Sequence, residues 1–217
     1  METLKILATG FFLFSLWSCG PKYVVGHQTP GVDRRLLERI AVLPVVVDTA
    51  TDRPGRTLKT GIVEEGGPLI ITALLYESLK GYHGLAVLPR IEVDQVVERV
   101  TAEQPGLPLT EQARQVGEAL DVQTVLVGRV NIFVEREGGA YGIKRPASVG
   151  FELFLLSAKD GAILWKGSYY ETQQSLFSDI TTFSLFMKRK GRWQTATELA
   201  MYGVEELLDT SPWATSN

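Results

Sequence analysis

Short β-branched runs alternating with amphipathic stretches predict an α/β fold: a mixed sheet flanked by helices in a three-layer-like arrangement, ending in an antiparallel hairpin. Three observations carry this expectation. They are the apolar run Arg39 to Val47 (RIAVLPVVV), the amphipathic stretch opening at Pro68, and two strand-like segments joined through Asp160-Gly161. With 217 residues, 45% of them hydrophobic, the chain has material for one ordinary core, which is expected over 34–217.

Arg39 to Val47 is too short for a helix and too continuous for a half-exposed strand, so it reads as a central buried strand, with Pro44 near its end or at a bulge. Asp48 to Gly67 is polar and glycine-bearing, and reads as a long loop. Pro68 suits a first helical turn, and Leu69, Ile70, Ala73, Leu74, Tyr76 and Leu79 form the apolar stripe of a helix ending near Lys80. A short strand, Leu85 to Leu88, precedes a helix over Ile91 to Val100 with Val93, Val96, Val97 and Val100 inward. Thr110 reads as the N-cap of the next helix, whose inward residues are Ala113, Val116, Gly117 and Leu120. Thr124 to Glu135 begins as a buried strand and ends in alternation. Ala147 to Ser157 and Ala162 to Gln173 are strands of a hairpin whose Asp160-Gly161 pair supplies the tight turn. Thr195 to Leu208 closes the domain as a helix before Pro212.

The N-terminus sets the address. Met1 to Lys5 is short and polar, Ile6 to Trp17 is an apolar run of signal-peptide length, and Leu16-Trp17-Ser18-Cys19 resembles the bacterial lipobox. Residues 1–18 thus read as a lipoprotein signal peptide and 19–33 as a lipidated cysteine with a tether, since GPKYVVGHQTPGVD carries three glycines and two prolines without periodicity. The resemblance implies diacylglycerol on Cys19, cleavage before it and a further acyl chain such as palmitate, giving membrane anchorage. Gly20, in place of the aspartate associated with inner-membrane retention, implies the outer membrane, facing the periplasm. Cys19 is the only cysteine, so no intramolecular disulfide forms.

Few residues point to chemistry. The net charge of -3 argues against a nucleic-acid partner. His27 lies in the tether and His83 in the turn Gly81 to Gly84, neither beside a nucleophile, and no spacing of histidines or cysteines fits a metal. Glu64-Glu65 reads as a solvated loop edge, and the glycine-rich 138–142 as a hairpin tip, because it leads into no helix. No catalytic residue, metal or cofactor is expected. The unusual segment is Phe177 to Trp193, where apolar residues abut Lys188-Arg189-Lys190-Gly191-Arg192. Phe183, Phe186, Lys188, Arg189, Lys190, Arg192 and Trp193 are the candidate interaction residues, for a partner groove or anionic lipid; the competing reading is a core segment with a basic turn.

Ile40-Ala41-Val42-Leu43-Pro44, the Gly-Gly before Pro68, Asp121-Val122 leading into Val125-Leu126-Val127-Gly128, and Asp160-Gly161 before Ile163-Leu164-Trp165 resemble the CsgG, LpoB and TolB-N-terminal-like lipoproteins. That group includes the curli-secretion channel and the penicillin-binding-protein activators. The resemblance covers about Arg39 to Gln173 and implies a non-catalytic accessory or assembly factor of an envelope complex, with an envelope protein partner or a homo-oligomer. No pair of regular hairpins for crossing a membrane is visible, so a ring-forming secretion component is the lesser alternative, with a hydrolase acting on envelope substrates.

Overall fold

The computed structural model describes residues 22–30, 32, 34–48, 61–139, 142–173 and 192–214. The signal segment 1–18, Cys19, and Phe183, Phe186, Lys188, Arg189 and Lys190 of the apolar-basic segment lie outside the described residues. The elements are β1 (Lys22–Gln28), a 3-10 turn (Arg34–Leu37), β2 (Arg39–Val42), β3 (Val46–Val47), α1 (Gly67–Leu79), β4 (Ala86–Val87), α2 (Arg90–Glu103), α3 (Leu109–Ala119), β5 (Thr124–Val134), β6 (Glu137–Gly138), β7 (Ile143–Arg145), β8 (Ser148–Ser157), β9 (Ile163–Thr172) and α4 (Ala196–Leu208).

Seven strands form one mixed sheet in the order β1-β9-β8-β5-β2-β4, with β3 beside the later half of β5. β5 runs parallel to β2 and β3 and antiparallel to β8, so the sheet changes character at β5. Helices α1 and α4 cover one face, burying Ile71, Leu75, Leu199 and Val204 against Leu126, Phe151, Leu153 and Trp165. On the other face α2 and α3 bury Val93, Val100, Ala113 and Val116 against Val125, Val127 and Leu156. The three-layer expectation and the C-terminal hairpin are both present. In the hairpin turn Gly161 adopts φ 71°, and the Ala162 N–H donates to the Asp160 carboxylate at 3.2 Å, which is why Asp-Gly serves there.

Four expectations are corrected. The segment expected as a tether contains β1, whose seven residues pair antiparallel with β9 from Lys22↔Glu171 to Gln28↔Trp165. His27 is therefore an exposed strand residue. The run Arg39 to Val47 is two strands, not one: the chain leaves β2 at Leu43, Pro44 sits in the gap, and the Val45 N–H donates to the Thr72 hydroxyl at 2.9 Å. That bond draws Thr72 into the buried face of α1, which matches the expected stripe only in part. Leu79 is buried and Ile70, Leu74 and Tyr76 pack against the core as expected, but Ile71, Thr72 and Leu75 are buried too, while Leu69 and Ala73 face solvent. Thr110 lies inside α3, which starts one residue earlier and has Pro108 at its N-cap without a side-chain cap.

Where α1 begins, Gly66 takes φ 85° and Gly67 lies so near the Phe133 ring that a Cβ there would approach it to 2.7 Å. The Gly-Gly pair thus makes a left-handed turn followed by a close approach. At α4, Thr195 accepts from the Glu198 N–H at 3.1 Å and Glu198 accepts from the Thr195 N–H at 2.9 Å, a complete capping box. Thr195→Ala is expected to lower stability by about 1 kcal/mol in urea unfolding. Burial alone would raise the Glu198 carboxyl, but the Thr195 N–H and Arg192 outweigh it and its pKa lies below the ordinary value. A lowered folded pKa stabilises above the unfolded value of about 4.3, and that contribution disappears as pH falls through the folded value. Glu198→Gln is therefore expected to destabilise the protein at neutral pH and scarcely at all in strong acid; an equal loss at both would exclude the carboxylate charge as the cause.

Candidate docking surface

Strand β1 is the edge of the sheet, and among the described residues nothing pairs with its outer side. The Thr29 N–H donates to the Leu164 carbonyl at 2.9 Å, which fixes the alternation of the antiparallel ladder. Tyr23, Val25 and His27 therefore turn their backbone groups toward β9, and Lys22, Val24, Gly26 and Gln28 turn theirs outward. No proline, bulge or unpaired lysine interrupts this edge: the register with β9 is continuous, and the Lys22 ammonium lies 2.5 Å from Glu206 and 4.0 Å from Glu171.

Side chains alternate along β1. Val24 packs into the α4 side of the core, whereas Tyr23 and Val25 project from the opposite face and are 38% and 42% exposed. Beside them on β9 and β8 the groups are polar and mutually bonded. Lys166 lies 3.0 Å from Glu152, which also accepts from the Ser168 hydroxyl at 3.2 Å, and Tyr170 and Ser148 both reach the Thr172 hydroxyl. Arg129 and Lys166 stand over the Phe154 ring at 5.6 and 5.3 Å. A partner strand laid on this edge would find backbone donors and acceptors, two exposed apolar side chains and a flanking polar face.

The sequence-predicted residues that are described lie elsewhere. Arg192 is ion-paired to Glu198, and its carbonyl accepts from Gln173 Nε2 at 3.1 Å and Gln194 Nε2 at 2.9 Å. The Trp193 carbonyl accepts from Arg136 at 3.1 Å, and the Gln173 side-chain carbonyl accepts from the Gln194 N–H at 2.6 Å. Arg192 and Trp193 thus clamp the base of the segment to the sheet, and its two ends, Gln173 and Gln194, lie side by side. Glu64 is likewise occupied: it accepts from the Glu135 N–H at 3.1 Å and pairs with Arg145 at 3.5 Å, while Glu65 is exposed.

An open cleft of about 760 Å³ lies where the end of α3 meets the β8–β9 turn, lined by Leu36, Arg114, Asp121, Lys159 and Leu164 among others. Its arginine is held by carboxylates of its own helix. Arg114 grips Glu111 at 2.7 Å and Glu118 at 3.1 Å, and its hydrogen bond holds the Glu111 carboxyl below the usual range. His83 is exposed in the turn after α1, and no group of three histidine, cysteine or acidic side chains placed for a metal occurs among the described residues.

No protein-family model matches the chain, and no curated protein matches it. Solved structures do share its arrangement. A dodecamer of a PelC point variant from Paraburkholderia phytofirmans superposes with a TM-score of 0.50 at 14% identity, over 87% of this chain and 97% of that one. Lipoprotein GNA1162 from Neisseria meningitidis follows with a TM-score of 0.42 and 15% identity over 70% and 98% of the two chains. The LpoB C-terminal domain from Escherichia coli gives 0.40 and 14% over 62% and 82%. At these identities what is shared is the fold. Bacterial lipoproteins, LpoB among them, are thus among the structures this chain resembles.

The signal for β1 is present in the sequence as Tyr23-Val24-Val25, a β-branched and aromatic triplet. Glycine and proline on both sides hide it.

Proposed function

We propose that this chain is an outer-membrane lipoprotein, held by lipid on Cys19, that acts in the periplasm by docking, as a non-catalytic accessory or assembly factor of an envelope complex. The observation that carries the reading is the edge of β1, where among the described residues nothing pairs with the outward backbone groups of Val24, Gly26 and Gln28, with Tyr23 and Val25 exposed beside them. Native sheets ordinarily protect such an edge, and one left open is suited to receiving a partner strand. Phe183, Phe186, Lys188, Arg189 and Lys190 are proposed as further contact residues, with Arg192 and Trp193 next to them in sequence.

The test is photocrosslinking in living cells from Val25 and, separately, from Lys188 of the anchored protein, followed by mass spectrometry. A discrete envelope protein captured from either position is the expected result. Capture of nothing by a folded, anchored protein would overturn docking as its mode of action.

A second reading, a ring of identical subunits, is favoured by the likeness to PelC, which is described as a dodecamer. It predicts self-crosslinks in that experiment and a large particle on sizing in detergent.

A further inference from the structure

The sequence of β1, Lys22-Tyr23-Val24-Val25-Gly26-His27-Gln28, is matched in kind about its middle residue. Val25 stands at the centre, Val24 and Gly26 flank it, the rings of Tyr23 and His27 come next, and polar Lys22 and Gln28 close the ends. The backbone has the same symmetry. Tyr23, Val25 and His27 bond to β9, so the outward groups belong to Lys22, Val24, Gly26 and Gln28, evenly placed about Val25. Among the described residues nothing pairs with them.

We propose that the partner of this edge is a second copy of the chain, paired antiparallel, β1 to β1, across a two-fold axis at Val25. The inference deepens the docking reading, on which it rests, by naming what occupies the edge. In this register Lys22 pairs with Gln28 of the second copy and Val24 with its Gly26, and each pair occurs twice, so every outward donor and acceptor is used. A slip of one residue sets outward groups against inward ones, and a slip of two leaves an outward residue of each strand unpaired. On the exposed face Val25 meets its own counterpart and Tyr23 meets His27, as non-hydrogen-bonded pairs whose side chains lie close. On the α4 face Val24 stands opposite Gly26, so no two branched side chains are opposed there. Lys22, the only lysine, arginine or acidic residue of β1, faces Gln28 and is already neutralised by Glu206 and Glu171, so no like charges meet.

The layers leave room for this pairing. Helix α4 lies over β9, with Gly203 against the Tyr169 ring and Leu207 reaching Gly167. Three strand spacings, about 14 Å, then separate the two copies of β9, more than the distance of about 8–10 Å between packed helices, so the two α4 helices clear each other. On the other face α2 and α3 pack over β2 and β5, on the far side of β8 from β1. The axis stands perpendicular to the sheet, so both copies turn the same face to the same side and both Cys19 residues can reach one bilayer. As an isologous contact it closes at two copies and leaves the rest of each surface available to an envelope protein.

The experiment uses the full lipidated chain, expressed in cells and purified in detergent. A cysteine at position 25 meets its counterpart with Cα atoms about 4.5 Å apart, within the range a disulfide spans. Val25→Cys is expected to yield several-fold more disulfide-linked dimer without reductant than Lys159→Cys, which lies in the exposed β8–β9 turn. Val25 is 42% exposed, so charged replacements there leave the fold intact. Val25→Lys and Val25→Glu are each expected to sediment as monomers with unchanged circular dichroism, and an equal mixture of the two to recover the dimer, because the axis sets position 25 of one copy against position 25 of the other. Equal disulfide yields at the two positions, an unsubstituted chain that sediments as a monomer, or a Val25→Lys chain that remains dimeric would overturn self-pairing. So would photocrosslinking from Val25 that captures a different protein and no second copy; that outcome leaves docking at the edge intact, whereas capture of nothing from Val25 or Lys188 would overturn both.

Discussion

Trp165→Ala is expected to lower stability by about 3–5 kcal/mol, among the largest effects of any single replacement in the fold. The indole is fully buried in the core between the sheet and α4, and its Nε1–H donates to the Thr210 carbonyl at 3.1 Å just beyond that helix. Gly167, two residues along the same face of β9, leaves the space into which the ring folds, since a Cβ there would lie 2.7 Å from its edge. Alanine would remove the ring, leave a cavity that the sheet cannot close, and orphan a carbonyl that holds the C-terminal turn. Urea unfolding of the detergent-solubilised protein, followed by tryptophan-independent far-ultraviolet circular dichroism, reads the loss. A change below about 1 kcal/mol would mean that α4 and β9 are not joined through this ring.

Cys19→Ser is expected to release the protein from the membrane almost completely. Each buried methylene of an acyl chain contributes about 0.8 kcal/mol, so two or more chains hold a protein firmly where one holds it marginally and none not at all. No helix among the described residues is long and apolar enough to cross a membrane. Fractionation of cells expressing the serine variant, with a carbonate wash, gives the answer. Retention in the membrane would place the anchor in the apolar run Ile6 to Trp17 and overturn lipidation as the means of attachment.

Both expectations draw on features that differ in how they could be known. The hairpin from Ser148 to Thr172 is legible because alternation and an Asp-Gly turn are local signals, and its strands are close together in the chain. Helix α4 is legible from its apolar spacing, and its capping box, Thr195 with Glu198, is a further local signal that the spacing does not use. The stripe of α1 departs from the expected one because Thr72 is held inward by two bonds, donating to the Pro68 carbonyl at 2.8 Å and accepting from the Val45 N–H. A polar residue at a core position is invisible to apolar periodicity.

By itself the sequence determined the α/β class, the order of the helices and longer strands after residue 39, the expected anchor at Cys19 and the lack of any motif naming a reaction, because each depends on neighbours within a few turns of chain. Only the tertiary structure decided that residues 22–28 are a strand, and that among the described residues nothing pairs with its outer edge. The physical reason is distance along the chain. β1 gains its hydrogen bonds from β9, 137 to 149 residues away by their pairing from Gln28↔Trp165 to Lys22↔Glu171, and its seven residues carry no pattern of their own strong enough to announce a partner so remote.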